Sequence, residues 1–207
     1  MDEPLSLTLL YSGEIAGDLA LLPRLYTFLQ RLHPPERQQT LLLDLGGSCV
    51  NSAWHCRETG GRSTLIVLDG MGYHAANVAG ALDREGRDKL AENVTMALVD
   101  ERDDWHYQVP PIHDPSIRVA LHPRDDEARL QVILTPAECT RVEGRSVYLR
   151  AVDAGQVGEA VVDLRGEPAL VSAGIHEMPS DTPPNPSIAG TVDFVEAEAR
   201  LLAKKRG

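Results

Sequence analysis

The hydrophobic periodicity of the sequence changes once, at about residue 94, and this change limits the fold more than any other feature. Before it, short apolar runs typical of strands alternate with stretches whose apolar residues recur at helical spacing. After it, short β-like runs follow one another between turns rich in Gly, Pro and Asp, until a last amphipathic helix. This order favours an α/β protein over an all-β protein or a helical bundle.

The first half of the chain alternates between strands and helices. The elements predicted there are strands at residues 5–11 and 40–45 and helices from Pro23 to the Pro34-Pro35 pair, at residues 73–80 and at residues 83–92. Residues 61–71 are ambiguous from composition, because T-L-I-V-L at residues 64–68 resembles a strand.

The second half is predicted to be mostly strands. These are residues 94–99, 117–121, 130–134, 146–152, 158–164 and 169–175, followed by a closing helix that opens near residues 185–187. Two acidic runs lie between strands. Residues 100–104 are predicted to form a hairpin tip, and residues 125–127 a solvated turn.

Charge and hydropathy exclude two classes of partner. The formal net charge is −11, which argues against nucleic-acid binding because that function needs clustered Lys and Arg. No apolar stretch approaches the roughly 18 residues of a membrane-spanning helix. The acidic N-terminus, M-D-E-P, has no basic region typical of an export signal, so we expect a cytoplasmic protein.

The three cysteines, Cys49, Cys56 and Cys139, do not have the spacing of a structural zinc site. We expect them to be reduced and partly buried. A thiol nucleophile or a redox pair at Cys49 and Cys56, with His55 beside them, is the alternative.

Five segments, in order, carry a resemblance to one protein family. Residues 10–17 (L-Y-S-G-E-I-A-G), 41–48 (L-L-L-D-L-G-G-S) and 71–82 (M-G-Y-H-A-A-N-V-A-G-A-L) are similar to three motifs of the 5′-nucleotidase branch of calcineurin-like metallophosphatases. Their family patterns are L-Y-T-N-D-x-H-G, L-L-L-D-A-G-D-S and L-G-Y-D-A-x-x-x-G-N-H-E. Residues 149–164 and 188–201 resemble later segments of that family.

The resemblance implies an α/β fold, a metallophosphatase-like layered β-sandwich flanked by helices, over a single domain of residues 1–207. It implies that residues 61–71 form a helix, because the family has one before the third motif. It also implies that the chain ends where full-length members begin a second, substrate-binding domain.

The same alignment implies that the family's two-metal site has degenerated. The ligand positions of the family fall on Glu14, Ala16, Gly47, Gly80, Ala81, His122 and Glu138. Ala and Gly have no side-chain donor, so only Glu14, His122 and Glu138 could still ligate, and His122 lies in a segment one residue shorter than the family pattern. Asp44 matches a family Asp that is not a ligand. We therefore expect a vestigial pocket, with no metal, no other cofactor and no catalytic residue.

Two functions follow as hypotheses. The first is a catalytically inactive ligand-binding or protein-interaction module, whose partner is an unknown small molecule or protein and which could form a homo-oligomer. The second is a hydrolase of phosphate esters or nucleotides with reduced or altered use of metals, with Glu14, His122 or a cysteine as acid, base or nucleophile.

Overall fold

The computed structural model describes residues 6–32, 39–108, 116–125 and 127–206. The elements in these ranges are β1 (Ser6–Ser12), α1 (Leu22–Leu32), β2 (Thr40–Asp44), α2 (Trp54–Glu58), α3 (Arg62–Gly70), β3 (Ala75–Asn77), α4 (Arg84–Ala91), β4 (Ala97–Val99), β5 (Trp105–Gln108), β6 (Ser116–Ala120), β7 (Leu130–Ala137), β8 (Arg141–Glu143), β9 (Ser146–Arg150), β10 (Gln156–Asp163), β11 (Ala169–Glu177) and α5 (Pro186–Arg206).

The strands form two mixed sheets. The six-stranded sheet has the order β11-β10-β1-β2-β3-β4, in which β1 to β4 are parallel, β10 is antiparallel to β1, and β11 is antiparallel to β10. The five-stranded sheet has the order β5-β6-β7-β9-β8, with β6, β7 and β9 parallel. The chain crosses from the first sheet to the second between β4 and β5, and returns between β9 and β10.

Two apolar layers hold these elements together. Leu9, Leu43 and Val132 belong to the layer between the sheets. Leu10 belongs to the layer between the six-stranded sheet and the helices. Because strand side chains point alternately to the two faces, a strand covered on both faces reads as a continuous apolar run, as in L-L-L at residues 41–43. The predicted α/β layered sandwich with flanking helices is confirmed.

The ambiguous stretch at residues 61–71 is helical, as the family resemblance predicted. Helix α3 follows Gly61, whose backbone has a left-handed φ of 87°. Leu65, Val67 and Leu68 are buried in the helix layer, and α3 packs against α5. Burial of these side chains outweighs the local strand propensity, which is worth less than about 1 kcal/mol per residue.

The helix predicted at residues 73–80 is wrong, because residues 75–77 form strand β3. Ala75 pairs with Leu43 of β2 and with Ala97 of β4. Ala75 faces the layer between the sheets and Ala76 faces the helices, both fully buried. Alanine has a high intrinsic propensity for helices. In β3 its small side chain instead fits between two closely packed layers.

The hairpin tip predicted at residues 100–104 is also wrong. These residues connect β4 to β5, which belong to different sheets, so the segment is a crossover. It is organised by Arg87, which donates to Asp100 at 2.7 Å and to Asp103 at 2.6 Å. Strands β5 and β8 and helix α2 were not predicted. The predicted stop at Pro34 and Pro35 lies outside the described residues, as does Asp126 of the predicted acidic turn.

The predicted closing helix is confirmed as α5. Asn185 caps it, because its Oδ1 accepts the backbone N–H groups of Ser187 (3.0 Å) and Ile188 (3.2 Å). Ile188, Val195 and Ala199 form its buried stripe. Within the described ranges, no helix has the length and apolar character needed to cross a bilayer.

The expectation that the cysteines are reduced is wrong for two of them. Cys49 and Cys56 form a disulfide, with Cα atoms 5.7 Å apart, whereas Cys139 is free and exposed rather than partly buried. The pairing of Cys49 with Cys56 could not be predicted from the sequence, because helix α2, which brings Cys56 back toward Cys49, was not predicted.

We expect loss of this disulfide to destabilise the protein by about 2.5 kcal/mol, the loop-closure entropy for a sequence separation of 7. The measurement is urea unfolding of Cys49→Ser/Cys56→Ser beside Cys139→Ser as the control, which should behave like the wild type. Titration of thiols in the unfolded, unreduced chain should find only Cys139. Three reactive thiols would contradict the disulfide.

Candidate functional site

The carboxyl ends of β1 to β4 lie at one edge of the six-stranded sheet, because these strands are parallel. Open α/β sheets bind ligands at this edge. The loop after β7 meets it, since the Tyr11 hydroxyl near the end of β1 lies 3.2 Å from Oγ1 of Thr140. The candidate site is therefore the set of loops after β1, β2, β3, β6 and β7.

The loop after β1 is bonded to the loop after β2. The backbone N–H groups of Glu14, Ala16 and Gly17 donate to the carbonyls of Gly46, Gly47 and Ser48 at 2.8–2.9 Å. Glu14 and Ala16 both have positive φ, 53° and 54°, which is uncommon for residues with a Cβ. The pairing of the two loops holds these conformations and sets where the Glu14 side chain lies.

The carboxylate of Glu14 lies directly over Gly47. A Cβ atom added to Gly47 would meet Oε1 of Glu14 at 2.7 Å and Oε2 at 2.9 Å. A side chain at position 47 and the present position of Glu14 therefore exclude each other. The space beside Gly47 holds a carboxylate that comes from the neighbouring loop.

Asp44 lies beneath these loops and is fully buried. Ser48 Oγ donates to its Oδ1 at 2.6 Å, and the Gly46 N–H also donates to the carboxyl group. Its Oδ2 has no hydrogen-bond partner among the described residues. Burial raises the pKa of Asp44 to about 7, and the negative charge of Glu14 adds to the increase.

A second buried polar pair adjoins Asp44. Ser12, the register partner of Asp44 in β1, lies with its Oγ 2.7 Å from the Tyr73 hydroxyl. Burial and then the nearby charge of Asp44 raise the pKa of Tyr73, so the phenol stays protonated at neutral pH. Neither residue was identified from the sequence. Both could have been found from their positions in the sequence, because Ser12 lies at the end of a buried strand and Tyr73 lies within the third motif.

The segment closed by the Cys49–Cys56 disulfide contacts the loop after β1 through His55. Nε2 of His55 lies 2.9 Å from the Gly17 carbonyl, which can only accept, so Nε2 carries the proton. Nδ1 of His55 lies 2.7 Å from Ser63 Oγ. His55 is therefore a buried link between α3 and the loop after β1, with a structural role.

The loop after β3 contributes no side chain to the candidate site. Gly80 has a φ of 73° and no atom within 4 Å of where its Cβ would be. It lines a cleft of about 510 Å³ with the acidic crossover at residues 100–103. The Ala81 carbonyl instead packs against Gly61 at the start of α3.

His122 and Glu138 share another cleft, of about 550 Å³, at the ends of β6 and β7. Nε2 of His122 is 3.5 Å from Glu101, and both side chains are mostly exposed. Arg141 also lines this cleft, with its guanidinium 4.3 Å from the centre of the Tyr148 ring. The predicted site residues therefore fall into three sets, one around Glu14 and Gly47, one at Gly80 and Ala81, and one around His122 and Glu138.

The donors at these positions do not fit a two-metal centre. Ala16, Gly47, Gly80 and Ala81 offer no side-chain ligand. Among the described residues, no three His, Cys, Asp or Glu side chains come together in a way that could hold a metal ion. The two acidic groups that do approach each other, Glu14 and Asp44, are fewer than a dinuclear site needs.

Comparisons with known proteins agree with this architecture at low sequence identity. No family model matches the sequence, and no curated protein sequence matches it. The NAD nucleotidase NadN of Haemophilus influenzae aligns with 98% of this chain at 10% identity and a TM-score of 0.52. A 5′-nucleotidase precursor of Thermus thermophilus aligns with 95% of the chain at 10% identity and a TM-score of 0.63.

A third solved structure, the Thermus thermophilus sulfate thiohydrolase SoxB in complex with glycerol, aligns with 92% of the chain at 11% identity and a TM-score of 0.63. The chain spans about 60% of the length of these three proteins, with shares of 60%, 59% and 60%. The chain therefore has the metallophosphatase-like fold of 5′-nucleotidase N-terminal domains, as predicted.

Proposed function

We propose that this domain is a catalytically inactive binding module on a 5′-nucleotidase-like fold. The observation that carries the proposal is the Glu14 carboxylate over Gly47. It fills the space that a side chain ligand at position 47 would need, while Ala16, Gly80 and Ala81 supply no donor. A chain that kept metal-dependent hydrolysis would need several of these positions to bear imidazole, carboxylate or amide groups.

The electrostatics of the site support the same proposal. Glu14 and Asp44 place two carboxyl groups near each other, and the whole chain has a net charge of −11. A phosphate ester would be repelled from this edge unless cations compensated. The missing ligands therefore weaken metal binding, and the acidic groups that remain weaken the binding of a phosphate ester.

The cleft around His122 and Glu138 is the place where we propose that a ligand binds. Its volume of about 550 Å³ suits a small organic molecule. The Arg141 guanidinium lies over the Tyr148 ring and is paired with Glu143 at 2.6 Å, so it presents a flat polar surface at the wall of the cleft. A segment of a partner protein is the other occupant that this cleft would admit.

A hydrolase with altered metal use is the second candidate, and one observation favours it. Among the described residues, Oδ2 of the buried Asp44 has no hydrogen-bond partner, and the pKa of about 7 suits a group that binds a cation or transfers a proton. The reaction class would be that of the similar proteins, which include a 5′-nucleotidase and an NAD nucleotidase.

We expect no hydrolysis of nucleotides, NAD or a simple phenyl phosphate ester in the presence of Mn²⁺, Mg²⁺ or Zn²⁺. We also expect elemental analysis of the purified protein to find no stoichiometric metal. The physical reason is the missing donors at four ligand positions. Turnover with metal ions would overturn the proposal if Glu14→Gln or Asp44→Asn abolished it while Glu167→Gln, on the exposed turn between β10 and β11, did not.

The location and the partners remain predictions. The cytoplasmic location rested on the N-terminal residues, whereas the Cys49–Cys56 disulfide is typical of proteins in an oxidising compartment. We therefore propose that the protein acts in an oxidising compartment, in which this disulfide can form. The predictions of no nucleic-acid partner and no membrane insertion rest on the charge and hydropathy given above.

A further inference from the structure

One face of helix α5 exposes apolar side chains at regular spacing. Phe194 is 64% exposed and Leu201 is 60% exposed, although both are large hydrophobic residues. With Gly190 and Ala197 they recur at intervals of four, three and four residues, which places all four on one face of the helix. This face, which we call the α5 seam, has the spacing of a two-stranded coiled coil.

The α5 seam is separate from the face that attaches the helix to the domain. Ile188, Val195 and Ala199 are buried against the other helices. A Cβ added to Gly190 would meet no atom within 4 Å, so the seam is open at this point within the described part of the chain. The seam therefore presents an apolar surface that the fold itself does not use.

Charged residues flank the seam and select one way of covering it. Asp193 and Arg200 lie on one flank, and Thr191 and Glu198 lie on the other. Two parallel copies of α5 would bring Asp193 opposite Glu198 and Arg200 opposite Lys205, which are like charges. The charge pattern therefore disfavours parallel pairing.

Antiparallel pairing satisfies the same residues in one register. When Phe194 of each copy packs on Ala197 of the other, Leu201 packs on Gly190, so each large side chain meets a small one. In this register Asp193 lies opposite Arg200 of the second copy. Shifting one copy by a heptad would instead bring Arg200 opposite Arg200 and Glu198 opposite Glu198.

From this complementarity we propose that the α5 seam joins two copies of the chain in an antiparallel, two-fold symmetric dimer. Glu198 is held by Arg62 of its own chain at 2.9 Å, which keeps that flank ordered. Arg200 contacts Glu196 of its own helix at 2.5 Å and stays 62% exposed, so it remains accessible to the second copy. Helix α5 has 21 residues and is about 31 Å long, enough for the whole seam.

Pairing along one face of a single helix buries less area than the roughly 1,600 Å² of a standard interface, so we expect a weak, concentration-dependent dimer. Sedimentation equilibrium of the full chain over a concentration series should show a monomer–dimer equilibrium. Leu201→Glu should abolish the dimer because it places a carboxylate in the seam. Val171→Glu is the matched control, since Val171 is 62% exposed on β11 and should leave the equilibrium unchanged.

Charge reversal tests the direction of pairing. Asp193→Arg and Arg200→Asp should each weaken the dimer on the order of tenfold, since each creates two like-charge pairs. The double variant Asp193→Arg/Arg200→Asp should restore the affinity. In a parallel dimer the single variant Asp193→Arg would instead strengthen association, because residue 193 would face Glu198.

Three results would overturn the proposal. They are a wild-type protein that stays monomeric throughout the concentration series, a dimer that Leu201→Glu does not affect, and a failure of the double variant to restore affinity. Circular dichroism and thermal unfolding of every variant distinguish loss of dimer from loss of fold. Because these residues lie outside the site around Glu14, the result is independent of whether the domain hydrolyses any substrate.

Discussion

The free energy of unfolding of Asp44→Asn, minus that of wild type, is expected to increase by about 4 kcal/mol between pH 4 and pH 8. The pKa of this carboxyl group is about 7 in the folded protein, against 3.8 for the ordinary group. Each pH unit between these values corresponds to about 1.4 kcal/mol of folding free energy. Asparagine does not titrate, so it avoids this loss.

The sign of the effect follows from proton binding. Between pH 4 and pH 7 the unfolded chain has released the Asp44 proton, whereas the folded protein still holds it. Stability from this group is therefore full below pH 4 and is lost as the pH rises through about 7. Above that value the folded protein must hold a buried carboxylate whose Oδ2 has no partner among the described residues.

The measurement is urea unfolding of wild type and Asp44→Asn at intervals from pH 4 to pH 8. The difference between the two free energies of unfolding should increase with pH, whatever its value at pH 4. Asp153→Asn, at an exposed carboxyl group, is the control and should show no such increase. Parallel pH profiles for wild type and Asp44→Asn would show that Asp44 ionises normally.

This result bears on function because a residue that destabilises the fold is typical of a binding or reacting site. A cation or a donor group that binds beside Asp44 would stabilise its ionised form and lower its pKa. If Mn²⁺ removed the pH dependence of wild-type stability, the second candidate function would gain support. If no cation had an effect, the inactive binding module would gain support.

Gly158→Ala is expected to destabilise the protein by about 3 kcal/mol or more. Gly158 of β10 pairs with Tyr11 of β1, and its added Cβ would lie 2.0 Å from Cζ of the Tyr11 ring. Tyr11 is fully buried, and its hydroxyl is engaged with Thr140. The ring therefore cannot move aside without breaking the packing between the sheets and the contact that joins β1 to the loop after β7.

Denaturant unfolding of Gly158→Ala measures this effect, with Gly174→Ala as the control. Gly174 lies in β11, where an added Cβ would meet no atom within 4 Å, so its substitution should change stability by less than about 0.5 kcal/mol. Tyr11→Leu should partly rescue Gly158→Ala, because it removes the ring that the new methyl group meets. Additive losses in the double variant would contradict the proposed clash.

Much of the fold could be predicted because the spacing of apolar residues along the sequence indicates which side chains are buried. The predicted strand at residues 40–45 is present as β2, and the predicted closing amphipathic helix is present as α5 with one buried face. The prediction failed at residues 73–80 because it relied on the helix propensity of alanine, which is a property of the local sequence. The requirement for small side chains between two layers came only from the neighbouring strands.

The candidate site was less predictable than the fold. The family resemblance identified the positions at which donors are missing, such as Ala16 and Gly47, because a residue without a donor lacks it in any conformation. The placement of Glu14 could not be predicted, since it depends on hydrogen bonds between two loops that are about thirty residues apart in the chain. The pKa of Asp44 likewise depends on burial by several elements.

The periodicity that changes near residue 94 thus indicated, without any structure, that this chain is an α/β protein, because periodicity records which side chains leave water, whereas the layered sandwich was implied by the family resemblance. The tertiary structure alone decided the Cys49–Cys56 disulfide, the carboxylate over Gly47 and the exposed face of α5. These depend on distances between segments remote in the chain, and such distances follow from packing rather than from the composition of any one segment.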